Sequence, residues 1–199
     1  MTEKEKMVKG MLYNPADKEL QLLRRRVRDL AEKYNRADPE EREEIMRQIL
    51  GGCKEHFYFE PDVRFDYGIN IFIGEHFYAN YNLTILDCAR VQIGNNVMFG
   101  PNITLATPVH PMLLEDRRMR QAADGTWFDY EYAKPITVED GVWIASCVTV
   151  NGGVTIGKNS VIGSGSVVTR DIPEGVFAAG VPCRVIRKLT DKDKMELPE

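Results

Sequence analysis

The 199-residue sequence has few cysteines and no long apolar run. Without a run of about 18 apolar residues it indicates no membrane-spanning helix, and the polar N-terminus MTEKEKMVKG lacks the apolar segment of a secretion signal. The four cysteines are widely spaced and form no CxxC pair: Cys53, Cys88, Cys147 and Cys183. They predict reduced, mostly buried thiols rather than a zinc site or a disulfide framework. We therefore expect a cytoplasmic protein.

An excess of charge of one sign is also missing. Lys and Arg number 26 against 30 Asp and Glu, which leaves a net charge of −4 and argues against general nucleic-acid binding. A composition of 43% hydrophobic and 28% charged residues is typical of an ordinary soluble domain with one core plus an appendage. Histidine is scarce too, so His56, His76 and His110 are the only candidates for a histidine base.

A six-residue repeat dominates the C-terminal half of the chain. β-Branched aliphatic residues stand at every sixth position: Val138, Ile144, Val150, Ile156, Ile162 and Val168. Three positions later come residues that suit tight corners with positive φ: Gly141, Cys147, Gly153, Asn159 and Gly165. A period of six fits neither an amphipathic helix nor an ordinary strand. It predicts a parallel β-helix, in which short strands alternate with corners and the aliphatic side chains fill a narrow prism.

The same spacing begins earlier and is interrupted once. Ile93, Phe99 and Leu105 keep the six-residue period, but the phase breaks over residues 107–134. This segment is charged and aromatic, so we expect it to loop out of the coil. Long loops on rigid scaffolds often carry function. The alternative is a disordered surface excursion.

Helical periodicity marks the first fifty residues. Apolar residues alternate at spacings of three and four, as on the buried stripe of a helix: Leu20, Leu23, Val27, Leu30 and Tyr34. Asn14-Pro15 is predicted to start this helix and Asp38-Pro39 to start a second one. The basic run Arg24-Arg25-Arg26 with Arg28 is typical of a solvated helix face rather than of an anion site.

Three segments follow from these patterns. We expect a helical segment over residues 1–54, a β-helix over residues 55–189 that contains the loop 107–134, and a tail over residues 190–199. A solenoid needs its open ends covered. The helical segment is therefore expected over the N-terminal end or flank, and residues 175–189 over the other end.

Five motifs follow one another along the chain: GMLYNPADKEL (10–20), FDYGINIFIGEHFYANYNLTILD (65–87), TPVHP (107–111), PITVEDGVWIAS (135–146) and SVIGSGSVVTRDIPEGVFAAGVPCRVIRKL (160–189). Together they make the chain resemble the maltose and galactoside O-acetyltransferase family, and the DYG element is typical of its maltose-type members. The resemblance covers nearly the whole chain. It implies a mainly β, left-handed parallel β-helix that forms a homotrimer with sites between subunits. It also implies acetyl-CoA as donor and a sugar hydroxyl as acceptor, with no metal.

The acceptor side of the expected reaction needs a base, because a sugar hydroxyl is almost fully protonated at neutral pH. Histidine suits this task, and His110 matches the catalytic histidine of the family's HP motif. By the same resemblance Asn80 positions the acceptor hydroxyl, while Asp66, Tyr78 and Asp87 contact the sugar. An amide can donate and accept without titrating. The alternative for Asn80 is a rung of an asparagine ladder inside the coil.

The resemblance implies that acetyl-CoA lies along the second repeat block. Ser146 would offer its backbone N–H to the thioester carbonyl as an oxyanion donor. Arg184 and Arg187 would meet the CoA phosphates, since charge-assisted contacts suit phosphates. The other residues implied for the donor groove are Trp143, Ala145, Ser164, Thr169 and Arg170.

The predicted mechanism is direct transfer in a ternary complex, with His110 taking the proton of the attacking hydroxyl. An acyl-enzyme is not expected, because no serine stands in a nucleophile elbow and no cysteine in a recognisable Cys–His setting. Three alternatives stay open at this point. The acceptor could be an antibiotic or amino acid hydroxyl, the protein could be a metal-dependent β-helix enzyme with three histidines on one zinc, or it could bind without catalysis.

Overall fold

A computed structural model, which describes residues 1–198, contains a coil of short strands that run through three sheets in turn. We number these sheets as faces in the order in which the chain first meets them. The first face holds β1 (Phe57–Phe59), β4 (Phe77–Ala79), β7 (Met98–Phe99), β14 (Trp143–Ile144), β17 (Val161–Ile162), β19 (Val176–Ala179) and β20 (Arg184–Lys188). The second face holds β2 (Arg64–Phe65), β5 (Thr84–Leu86), β8 (Thr104–Ala106), β15 (Thr149–Asn151) and β18 (Val167–Val168). The third face holds β3 (Ile71–Ile73), β6 (Val91–Ile93), β13 (Ile136–Val138) and β16 (Thr155–Ile156).

The three faces enclose the core of a prism. Their strands pair in parallel, apart from β20, which folds back antiparallel on β19. The corners that follow strands of the first face form what we call the first edge, and those that follow the second face form the second edge.

The six-residue repeat occupies the predicted places in this prism. All six aliphatic residues of the repeat are fully buried, and each contributes about 1.5–3 kcal/mol by leaving water. The predicted corner residues all have positive φ, from 57° at Asn159 to 88° at Gly153. The predicted fold class, a parallel β-helix with an N-terminal helical segment and an extended loop, is confirmed.

The N-terminal segment forms three helices: α1 (Glu3–Val8), α2 (Lys18–Arg36) and α3 (Pro39–Ile49). α2 and α3 cover the N-terminal end of the coil, whereas Met7 of α1 joins a separate buried cluster with Tyr13 and Ala133. Val27 and Tyr34 of α2, with Met46 and Ile49 of α3, join the same buried cluster as the coil. The hydroxyl of Tyr34 donates to the carbonyl of Phe59 at 2.6 Å, which ties α2 to the first coil.

The start of α2 differs from the prediction. Asp17 caps this helix, and its carboxylate accepts the backbone N–H of Glu19 at 3.0 Å. Asn14 instead accepts the N–H of Ala16 at 2.8 Å and so makes a turn three residues before the cap. Both residue types compete for cap and turn positions, which the sequence alone does not separate. The predicted start of α3 after Asp38 is confirmed.

The loop 107–134 has its own secondary structure and is not a disordered excursion. β9 (Pro108–Val109) pairs antiparallel with β12 (Tyr132–Ala133) at its base. Further out lie α4 (Leu114–Arg117) and a hairpin of β10 (Arg120–Gln121) with β11 (Trp127–Phe128). The loop leaves the coil after β8 and returns at β13, so it projects from the second edge.

Within residues 1–198 none of the helices is both long and apolar enough to cross a membrane. The four cysteines are free thiols, of which Cys88 and Cys183 are buried, Cys53 is half-buried and Cys147 is exposed.

Candidate active site

His110 lies one residue beyond the pairing of β9 with β12. Because Val109 stands opposite Tyr132 in this antiparallel pair, continuing the register puts His110 opposite Glu131. Alternate residues of an extended strand point to the same side. Asp129 and Glu131 therefore both lie on the His110 side of the loop.

The imidazole of His110 is bracketed by two carboxylates. Its Nδ1 lies 3.0 Å from Oδ2 of Asp129, and its Nε2 lies 3.9 Å from Oε1 of Glu131. The side chain of His110 is 46% exposed, whereas those of Asp129 and Glu131 are 26% and 19% exposed. The ring is thus open to a substrate on one side and faces acids on the other. Sequence patterns did not identify either acid, because both lie in the loop outside the repeat.

Glu131 is fixed by the N-terminal segment of the chain. The hydroxyl of Tyr13 donates to Oε2 of Glu131 at 2.7 Å, and the two backbones form an antiparallel bridge. Tyr13 is fully buried, and this burial raises the pKa of its phenol. The phenol therefore remains a hydrogen-bond donor at neutral pH.

Asp129 and Glu131 line a cavity of about 730 Å³ between α2 and the loop. Across it lie Arg24 and Arg28 of α2, together with Asp66 at the second edge of the coil. The interpretation of the arginine run as a solvated face fits Arg28, whose side chain is 67% exposed, but not Arg24, which is half-buried and donates to the hydroxyl of Tyr67 at 2.6 Å. Their spacing of four residues puts them on one face of the helix, and that is the signal that could have found them.

Asp66 faces this cavity with a partly desolvated carboxylate. Burial raises the pKa of Asp66, while the nearby Arg24 and Arg28 guanidinium groups act in the opposite direction. Nη2 of Arg28 lies 4.0 Å from Oδ1 of Asp66. The thiol of Cys88 lies 3.7 Å from Oδ2 of Asp66, and burial raises the pKa of this thiol, which disfavours a nucleophilic thiolate.

Asp87 occupies a different position from the predicted sugar contact. It is fully buried, and its two carboxylate oxygens accept the backbone N–H groups of Tyr67 at 2.8 Å and Asn70 at 3.2 Å. Burial raises the pKa of Asp87 to about 6. Its oxygens hold the turn that carries Asp66, so Asp87 supports the cavity wall from behind instead of facing an acceptor.

Asn80 and Tyr78 lie on another side of the prism from His110. Tyr78 lies within β4 on the first face and Asn80 follows β4 at the first edge, whereas Asp66 and the loop that carries His110 follow strands of the second face. The Oδ1 atom of Asn80 accepts the N–H of Tyr81 at 2.7 Å. Strand pairing puts Glu60 and Gly100 on either side of Asn80 in neighbouring coils, so Asn80 does not belong to an asparagine ladder.

A column of small residues continues from Asn80 along the first edge. The pairing of β4, β7, β14 and β17 puts Asn80, Gly100, Ala145 and Gly163 at equivalent positions of successive coils. Since neighbouring strands lie about 4.8 Å apart, Ala145 is about 10 Å from Asn80. Because Gly100, Ala145 and Gly163 carry little or no side chain, this column, which we call the small-residue channel, leaves room for an extended chain.

Ser146 and Ser164 stand beside this column, one coil apart. Within residues 1–198 the backbone N–H of Ser146 donates no hydrogen bond, so it is available to a ligand. The outward-facing Trp143 of β14 is 46% exposed. Thr169 and Arg170 follow β18 and therefore lie at the second edge. The predicted donor groove is thus divided between two edges of one chain.

The predicted phosphate-binding arginines lie on β20. Arg187 forms a two-pronged ion pair with Asp193 at 2.6 and 2.8 Å, which lowers the pKa of the Asp193 carboxyl to about 2. Arg184 donates to the carbonyl of Cys183 at 2.8 Å. Arg187 would have to exchange its carboxylate partner for a phosphate.

The other two histidines meet at a coil corner. The rings of His56 and His76 stack with centroids 5.3 Å apart, and Glu75 lies close enough to complete a metal-binding group. However, the Glu75 carboxylate accepts the backbone N–H groups of Glu55 and His56 and contacts the His56 ring. We assign this cluster to capping the corner, and His110 lies apart from it.

Comparison with known proteins adds to this geometry. A model described as the maltose acetyltransferase hexapeptide capping motif matches residues 6–54, and the six-repeat bacterial transferase hexapeptide model matches residues 135–170. The chain is 45% identical over 193 residues to the galactoside O-acetyltransferase of Escherichia coli K12, covering 96% of this chain and 91% of that protein.

Two solved structures are similar along their whole length. A maltose O-acetyltransferase from Clostridium difficile 630 is 41% identical, with a TM-score of 0.88 over 96% of this chain and 99% of that one. A galactoside acetyltransferase in complex with coenzyme A is 42% identical, with a TM-score of 0.88 over 100% of this chain and 96% of that one.

Proposed function

Since the chain belongs to the maltose and galactoside O-acetyltransferase family, we propose that it transfers the acetyl group of acetyl-CoA to a hydroxyl of a maltose, glucose or galactoside type sugar. His110 is the general base of this reaction. The observation that carries the proposal is the position of this imidazole beside two carboxylates that line a polar cavity.

The reaction proceeds by direct attack. Nε2 of His110 takes the proton of the sugar hydroxyl as its oxygen bonds to the acetyl carbon. The backbone N–H of Ser146 donates to the oxyanion of the tetrahedral intermediate. When the carbon–sulfur bond breaks, the imidazolium returns its proton to the departing thiolate. Cys88 is too strongly buried to serve as an acyl carrier.

The acceptor lies in the cavity between α2 and the loop. Its hydroxyl groups have charged partners on both walls: Arg24, Arg28 and Asp66 on one side, and Glu131 on the other. Carboxylates accept hydrogen bonds and guanidinium groups donate them, so the cavity matches a ligand that carries both functions on every hydroxyl. A sugar is such a ligand.

The active site is completed by a neighbouring subunit. Within one chain His110 and Asp66 belong to the second edge, while Asn80, Ala145 and Ser146 belong to the first edge and Tyr78 to the adjoining first face. A homotrimer in which the second edge of one protomer meets the first edge of the next brings the two sets together. The same arrangement joins Thr169 and Arg170 to the partner's small-residue channel and gives CoA a groove with two walls.

An acceptor screen tests the proposed function. Purified protein is incubated with acetyl-CoA and, in turn, maltose, glucose, a galactoside, serine and a hydroxyl-bearing antibiotic, while free thiol is followed. We expect thiol release that depends on a sugar in the wild type. Release only with serine or the antibiotic would replace the acceptor class. Failure to bind acetyl-CoA would favour a binding protein, and loss of turnover on metal chelation would favour a metal enzyme.

A further inference from the structure

The proposed general base must present one particular ring nitrogen to the acceptor. Neutral imidazole carries its proton on either Nδ1 or Nε2, and the partner of one nitrogen decides whether the other is free to act as a base. The carboxylates near His110 are therefore candidates for a positioning role that extends the proposed function and rests on it.

The loop fixes Asp129 beside Nδ1. Asp129 follows β11 directly, where Phe128 is paired with Arg120. Phe128 and Tyr130 pack edge to face with ring centroids 5.2 Å apart. Because Phe128 and Tyr130 flank Asp129 and point to the other side of the strand, the Asp129 side chain points towards His110. The result is the 3.0 Å separation between Oδ2 and Nδ1.

Glu131 does not compete for this role. Its Oε2 already accepts the hydroxyl of Tyr13 at 2.7 Å, and its Oε1 lies 3.9 Å from Nε2 of His110. That distance is too long for a hydrogen bond. Nε2 is thus uncommitted, and Nδ1 has a carboxylate oxygen at an ion-pair distance of 3.0 Å.

We propose that Asp129 is a positioning residue that accepts the Nδ1–H of His110 and keeps the lone pair on Nε2. The carboxylate also stabilises the imidazolium that forms when the acceptor loses its proton, as an aspartate does for histidine in other base-assisted acyl transfers. The loop 107–134 therefore supplies both the base and the group that orients it.

Three variants test the role of Asp129. Asp129→Asn keeps the size of the side chain but replaces the negatively charged carboxylate with a neutral amide. Asp129→Glu keeps a carboxylate on a longer side chain. Glu131→Gln, in the segment between β11 and β12, is the matched control for the tautomer of His110. We expect Asp129→Asn to lower kcat by about 10–100-fold with little change in the KM for acetyl-CoA, and Asp129→Glu to recover part of that loss.

The tautomer of His110 gives a readout that a merely structural role would not move. With only three histidines in the chain, ¹⁵N-histidine labelling yields three ring patterns, and His110→Ala identifies the one from His110. We expect mainly Nδ1–H in the wild type and in Glu131→Gln, and a shift towards Nε2–H in Asp129→Asn.

The outcomes separate this inference from the proposed function. Wild-type kcat in Asp129→Asn, or a lower kcat with an unchanged tautomer, overturns the positioning role. If His110→Ala is inactive in the same assay, the assignment of His110 as the general base stands even when the role of Asp129 is overturned. If His110→Ala keeps near-normal kcat, the base assignment fails first and the role of Asp129 fails with it.

Discussion

Tyr13 and Glu131, 118 residues apart in the sequence, are joined both by a side-chain hydrogen bond of 2.7 Å and by a backbone bridge. This pair fastens the N-terminal segment to the base of the loop that carries His110. The position of Glu131 in the cavity wall therefore depends on Tyr13, near the start of the chain.

Removal of the Tyr13 hydroxyl is expected to impair acceptor binding. Tyr13→Phe leaves Oε2 of Glu131 without its donor, so we expect a higher acceptor KM and a loss of about 1–3 kcal/mol in the free energy of unfolding. Tyr34→Phe is the control, since it also removes a buried hydroxyl but lies in the helical cap. It should reduce stability and leave the acceptor KM unchanged. Equal KM values in the two variants would contradict the role of Tyr13.

Loss of the base should be severe and local. His110→Ala is expected to lower kcat by roughly 10²–10⁴-fold, while folding and the affinity for free CoA stay close to wild type. Steady-state kinetics and calorimetric titration with CoA measure these effects. His76→Ala, which alters a coil corner, should keep its activity. Near-normal turnover of His110→Ala would remove His110 from the mechanism.

Donor and acceptor binding should separate by mutation. Replacing Arg184 and Arg187 together with Ala should raise the KM for acetyl-CoA about tenfold or more, because the proposed phosphate contacts are lost. The acceptor KM should stay unchanged, because neither arginine lines the cavity between α2 and the loop. Asn80→Ala should reduce kcat and acceptor use while free CoA still binds. A two-substrate kinetic matrix on both variants measures this. Loss of acceptor affinity in the arginine variant would show that the donor groove is misplaced.

Shared active sites predict complementation between inactive variants. A trimer of the 22.7 kDa chain with sites between protomers needs His110 from one copy and Asn80 from the next. Co-refolding His110→Ala with Asn80→Ala should therefore restore some sites with both wild-type residues and recover activity. Light scattering should give three times the chain mass. An active monomer, or mixtures as inactive as the separate variants, would rule out shared sites.

Stability should depend on pH through Asp87. Its pKa rises from an ordinary 3.8 to about 6 in the fold because burial disfavours the carboxylate. In this window the folded state binds more protons than the unfolded state, so the contribution of Asp87 makes stability fall as pH rises from about 4 to 6. Asp87→Asn should remove this component of the slope. Urea unfolding at several pH values measures it, and an identical slope in wild type and variant would refute the assignment.

The six-residue repeat made the coil and its core positions predictable from the sequence. The structure of the loop and the cap of α2 were not predictable in this way. One residue in six must fill the prism, so Val138 and the positions in phase with it could be predicted as core from spacing alone. Asp129 and Glu131 have no such constraint, because their placement depends on an antiparallel register set by β9 and β12. The predicted cap of α2 was Asn14 and the observed cap is Asp17, because either residue type can cap a helix or form a turn.

The loop at the second edge leaves the coil without disturbing its phase. The N–H of Lys134 donates to the carbonyl of Thr107 at 3.0 Å, which closes the base of the loop, and Ile136 then pairs with Val91 as if no residues had intervened. Scaffold and specificity are consequently modular. Because the loop enters and leaves the prism at one closed junction, we expect changes in its length or sequence to leave the pairing of β6 with β13 intact.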